Sequence, residues 1–128
     1  METGEFRKDV DGAIARGDAS GAARMLASAW ELDPGSALAG FVASRYDRIA
    51  GRLDLLRQRW AILRSFTVEP VVPVFRAGAY AVGVALETHL GEFNAYAQEI
   101  LDAGSALYRF QPDVAVLAVQ TRDVAPEL

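Results

Sequence analysis

The run WAILRSFTVEP, Trp60 to Pro70, decides how the chain reads. Trp60-Ala61-Ile62-Leu63 is an apolar stretch of strand length, and Arg64-Ser65-Phe66-Thr67 follows it as a polar turn. Pro70 and Pro73 then open a helical stripe of Val71, Val74, Phe75, Gly78, Ala79 and Val82, at positions where a missing N–H costs least. The pattern places Ser65 between the end of a buried strand and the mouth of a helix. Three roles are open to it there: a nucleophile, a helix cap, or one member of a site whose other parts lie on other turns.

Toward the C-terminus, Val84-Ala85-Leu86-Glu87-Thr88 reads as a second strand. Val114 to Val119 is an unbroken apolar run, the mark of a third strand covered on both faces. Between them Phe93, Tyr96, Ala97, Ile100 and Leu101 recur with a helical period, and Gln111-Pro112-Asp113 turns into the third strand. Strand, helix, strand, helix, strand predicts an α/β fold: a parallel βαβαβ unit with right-handed crossovers, a partial flavodoxin-like sheet. Such sheets have about four to six strands, so three imply either a larger α/β domain or a partner that supplies the rest. An open edge on an apolar strand otherwise invites association.

Toward the N-terminus the period is helical throughout. Phe6, Val10 and Ile14 line a short helix that Gly17 closes. Asp18 or Ser20 caps a second helix with Ala22, Met25, Leu26, Ala29 and Trp30 on one face. Asp33-Pro34-Gly35 is a turn, and Ser36 is placed to cap a third helix with Leu38, Phe41, Val42, Tyr46, Ile49, Leu53 and Leu56 on one side, weak at Gly51. The helix–turn–helix about Trp30 faintly resembles one tetratricopeptide unit, but no second copy follows at the repeat period, and an ordinary helical hairpin is preferred. The expected division is a helical subdomain over 1–58 and the α/β subdomain over 59–128.

Composition narrows the function. The chain has 128 residues, 52% of them hydrophobic, with no cysteine, one histidine (His89) and a net charge of -4. Disulfides, thiolate zinc sites and cysteine nucleophiles are excluded, and a multi-histidine metal site is impossible. The acidic balance speaks against nucleic acid, which wants a concentrated basic face. The N-terminus Met1-Glu2-Thr3-Gly4-Glu5 is no signal peptide, and no apolar run reaches membrane-spanning length, so a cytoplasmic protein is expected.

In open parallel sheets, ligands bind beyond the carboxyl ends of the strands. The three turns at that edge are Arg64–Thr67, His89–Asn94 and Gln120–Asp123, and their residues Ser65, His89, Asn94, Arg122 and Asp123 are the candidate ligand-binding group. Ser65 as a nucleophile needs a base and oxyanion donors, and His89 is the one imidazole available. Asn94 suits a ligand or a helix cap. Arg122 carries the forked donors that suit phosphate or carboxylate, or it pairs with Asp123 to order the loop. No glycine-rich phosphate loop follows the first strand, and no Asp-x-Asp follows any strand.

The strings Ile62-Leu63-Arg64-Ser65-Phe66-Thr67-Val68-Glu69-Pro70, His89 to Asp102 and Ser105 to Val114 together resemble the N-terminal region of FkbH-like proteins. These belong to subfamily IIIC of the haloacid dehalogenase superfamily. The resemblance implies an SGNH-like sheet, and a whole protein that dephosphorylates a phosphorylated glycerate and loads a glyceryl group onto an acyl carrier protein for polyketide or related biosynthesis. Its magnesium and its Asp-x-Asp motif belong to a downstream phosphatase-like domain, so this stretch is expected to be non-catalytic and to need no cofactor. Carried onto the SGNH pattern, Ser65 takes the nucleophile's place. Gln120 stands for the oxyanion glycine and Arg122 for the oxyanion asparagine, and the late Asp-x-x-His block falls beyond Leu128. The expected role is therefore substrate or carrier-protein recognition. A self-associating interaction module and an SGNH-type serine esterase are the alternatives.

Overall fold

Gly17 ends the first helix as its sequence position requires, with φ 82°, a left-handed conformation that a side chain disfavours. The structure is a computed structural model that describes residues 3–125 and 127. Met1, Glu2, Pro126 and Leu128, and with them the readings of the two chain ends, lie outside the described residues.

Three helices come first: α1 (Thr3–Ala15), α2 (Ala19–Leu32) and α3 (Ser36–Ile49). Asp18 caps α2, its carboxylate accepting the Gly21 N–H at 2.9 Å. Ser36 does not cap α3. Gly35 holds the cap position, and Ser36 is already the first helical residue. A 3-10 turn, Ala50–Arg52, replaces the helix where Gly51 falls, so Leu53 and Leu56 leave the helical stripe.

The strands are β1 (Leu56–Arg64), β2 (Val84–Leu90) and β3 (Val114–Ala118), in the order β2-β1-β3. β1 pairs parallel with β3 from Trp60↔Val114 to Arg64↔Ala118. Along β1 and β2, Leu56 bonds Gly83, Ile62 bonds Gly91 and Arg64 bonds Asn94, so that pairing is parallel as well. The fold is the expected α/β arrangement, helices followed by a three-stranded all-parallel sheet. A 3-10 turn, Glu69–Val71, and α4 (Val72–Ala81) join β1 to β2. Two short helices, α5 (Tyr96–Leu101) and α6 (Ala106–Phe110), join β2 to β3, and α7 (Thr121–Val124) follows.

Two expectations about coverage fail. β3 is an edge strand and is not covered on both faces: Leu117 is 59% exposed and Val114 36%. The helical stripe through Phe93 to Leu101 is shorter than its spacing implies. Phe93 precedes α5, and Leu101 at its end is exposed.

The chain forms two compact units, one from Met1–Leu56 with Pro73–Ala85 and one from Arg57–Val72 with Leu86–Leu128. The first is built on Val10, Ala22, Leu26, Val42 and Ile49, all fully buried, with Ala77 and Tyr80 of α4 in the same core. There Tyr46 stacks on Tyr80 with ring centres 4.6 Å apart. The second unit is held by Ala61 and Leu63 of β1 against Leu107, Tyr96 and Phe110. No described helix is long and apolar enough to cross a membrane.

Candidate functional site

Parallel pairing sends the carboxyl ends of all three strands to one edge, and within the second unit the backbone ties their turns together. The Ser65 N–H donates to the Ala118 carbonyl at 3.0 Å, joining the end of β1 to the end of β3. The Gly91 N–H donates to the Ile62 carbonyl at 2.9 Å and the Asn94 N–H to the Arg64 carbonyl at 3.1 Å, joining β1 to the turn after β2.

Two side chains at the end of β1 complete the ties. Ser65 is buried, and its Oγ accepts the Gln120 N–H at 2.9 Å. It is therefore neither a cap of the following turn, whose cap position Val68 holds without a side-chain bond, nor a free hydroxyl at the surface. Arg64, with a side chain 13% exposed, donates from Nε to the Gly91 carbonyl at 2.9 Å and pairs through its guanidinium with Glu69. Glu69's own backbone N–H and the Arg64 guanidinium hold its carboxyl below the usual range.

The remaining predicted residues are placed differently. Asn94 has φ 58° and is exposed, a turn residue rather than a helix cap; Ala95 precedes α5, with no side-chain cap. His89 lies in β2, and its Nε2 sits 3.2 Å from Glu99 Oε1 while its ring lies 5.5 Å from that of Phe110. Arg122 and Asp123 are both exposed on α7, with no ion pair between them among the described salt bridges. The structure thus brings Ser65 to Gln120 and Arg64 to Gly91 and Asn94. It does not join Ser65 to His89 by any described hydrogen bond.

Glu99 and Gly91 escaped the reading of the sequence. Glu99 holds His89, and its other oxygen, Oε2, is buried without a partner. A methyl group on Gly91 would stand 2.5 Å from that oxygen and 3.0 Å from Leu63. The signal was present only in part: Gly91 reads as a turn glycine, and nothing in the spacing says that a carboxylate eight residues on lies over it.

The Gln120 N–H, standing where the SGNH comparison put an oxyanion donor, is given to Ser65 instead of pointing at a substrate oxygen. Among the described residues no group of three or more His, Asp or Glu side chains is placed to hold a metal ion.

No protein-family model matches the chain, and no curated protein matches it. Among solved structures it is similar to the N-terminal part of the protein BF1531 from Bacteroides fragilis, which contains a phosphatase domain and was crystallised with magnesium. The identity is 19%, the TM-score 0.53, and the match covers 57% of this chain and 19% of that one. That likeness establishes a shared fold, over a minor part of the longer protein.

Proposed function

We propose that this chain is a non-catalytic N-terminal portion of an FkbH-like protein, whose strand-end rim contributes recognition of a phosphorylated glycerate or of the acyl carrier protein that receives its glyceryl group. The observation that carries the reading is the meeting of three turns on Arg64 and Ser65. It presents the adjoining exposed residues Asn94, Arg122 and Asp123 on a framework fixed by buried hydrogen bonds. The fold shared with a phosphatase-domain protein supports the same kinship. In this role Arg122 offers forked donors to a phosphate or carboxylate, Asn94 offers an amide, and His89, held by Glu99, orders the turn between them. Serine hydrolysis has less support, because Ser65 and His89 are each engaged elsewhere.

Calorimetric titration with a three-carbon phosphoglycerate, and separately with a glyceryl-loaded acyl carrier protein, tests the proposal. Binding of one of them, weakened about tenfold or more by Arg122→Ala as loss of a charged hydrogen bond implies, is the expected result. Absence of binding to both overturns it. The chain alone is expected to release no phosphate.

A further inference from the structure

Arg45 of α3 donates from Nε to Asp11 Oδ1 of α1 at 2.7 Å, and Arg48 stands 3.9 Å from the same oxygen. Arg7 of α1 lies over the Phe41 ring, 4.7 Å from its centre, as Arg45 does at 4.4 Å. The Arg45 hydrogen bond, and then the charges of Arg45, Arg48 and Arg7, hold the Asp11 carboxyl below the usual carboxylate range. Three guanidiniums therefore gather around one carboxylate, on a chain whose net charge is -4. Other acids of these two helices are turned elsewhere. Asp47 accepts from Arg76 and from the Tyr80 hydroxyl, and Asp9 lines a groove with Met25 and Ala29 of α2. Glu5 falls two positions from Arg7, which on a helix is the far side.

Like charges gathered this way repel, and an anion relieves the repulsion. The cluster is also preorganised. Buried Phe41 seats Arg7 and Arg45, and Asp11 seats Arg45, so less side-chain freedom remains to be lost on binding. Its extent selects the kind of anion. Phe41, Arg45 and Arg48 fall at i, i+4 and i+7 of α3, a stripe about 10 Å long at 1.5 Å per residue, with Arg7 added from α1. One small anion cannot reach both ends of such a stripe, whereas carboxylates at the same helical spacing can. A nucleic-acid backbone asks for many more phosphate contacts and is repelled by the negative chain as a whole.

We propose that the face of α1 and α3 bearing Arg7, Arg45 and Arg48 docks an acidic helix of a partner protein, with carboxylates at i, i+4 and i+7 along one side. This goes beyond the strand-end rim and does not rest on it: every residue named lies in the first compact unit.

The probe is an alanine-based helical peptide with glutamates at i, i+4 and i+7, titrated into the uniformly labelled full chain. Binding is followed by the NMR signals of the arginine Nε–H groups and of the α1 and α3 backbone. An isomer with the same glutamates spread around the helix, inorganic phosphate, and an oligodeoxynucleotide of equal charge are titrated in parallel. The expected result is saturable shifts centred on Arg7, Arg45 and Arg48, tightest for the striped peptide and weakened by added salt. Arg7→Ala and Arg48→Ala, each with the far-ultraviolet dichroism of the parent, are expected to weaken binding about twofold to fivefold, as exposed ion pairs imply. Arg16→Ala, at an exposed arginine just past α1, is expected to leave it unchanged. No saturable shift, or equal affinity for the two isomers, overturns the proposal on the parent chain alone. Tighter binding of phosphate or of the oligonucleotide overturns it too, since the partner would then be a small anion or a nucleic acid. So does a striped peptide that binds both variants as tightly as the parent.

Discussion

Ser65 shows how a residue's place can be legible while its task is not. Its position after an apolar strand put it at the strand end, where it is found. Its partner is a backbone N–H 55 residues away, fixed only when β3 pairs with β1. Ser65→Ala leaves that Gln120 N–H without its acceptor, and a loss of about 1 kcal/mol in urea unfolding is expected, with faster exchange at the Gln120 amide. Loss of under a few tenths would mean that the bond does not form in solution. Tyr80 carries a prediction of a different kind. Burial, and the Asp47 carboxylate accepting its hydroxyl at 2.7 Å, push its pKa from 10.0 up to about 12. The unfolded tyrosine ionises near its ordinary value while the folded one keeps its proton. Its contribution to stability is therefore whole below pH 10 and fades between there and about 12. Absorbance titration should find two late-ionising tyrosines, since burial raises Tyr46 as well, and Tyr80→Phe should remove one of them.

Among elements, the helices were the most readable and the strand margins the least. The stripe of Ala22, Leu26 and Trp30 and the Asp18 cap specify α2 by local rules alone. Asp18→Ala is expected to cost about 1 kcal/mol, seen as a lower melting temperature with unchanged helix content at room temperature. β1 begins at Leu56, four residues before its apolar run, and Arg59 finds partners there that only the tertiary fold supplies. Arg59 pairs with Glu87 at 3.3 Å, lies over the Phe110 ring at 4.4 Å, and gives its N–H to Asp113 Oδ2 at 2.8 Å. The unbroken apolar run of β3 suggested two covered faces, yet apolar patterning reports what a strand tolerates and not what covers it. The turn after β2 depends on Gly91. Gly91→Ala drives a methyl into Glu99 Oε2 and Leu63, so a loss of about 1–3 kcal/mol is expected, together with a changed His89 ring environment by proton NMR. An unchanged His89 spectrum would show that Glu99 moves aside freely.

For the whole molecule, the decisive property is that both strand pairings are parallel, since that alone gathers the turns after β1, β2 and β3 at one edge. The order of strand and helix patterns made this topology legible, because alternating elements admit few other arrangements. Which side chains meet at the edge was legible only as a set of turns. Arg64 carries more of the joining than Arg122, and His89 answers to Glu99 instead of Ser65. Measurement of NMR scalar couplings across backbone hydrogen bonds in the uniformly labelled chain tests this convergence most directly. Couplings linking the Ser65 N–H to the Ala118 carbonyl, the Gly91 N–H to the Ile62 carbonyl and the Asn94 N–H to the Arg64 carbonyl are expected. Couplings in an antiparallel pattern between these strands would instead place the turns at opposite ends and remove the geometric basis of the proposed recognition role.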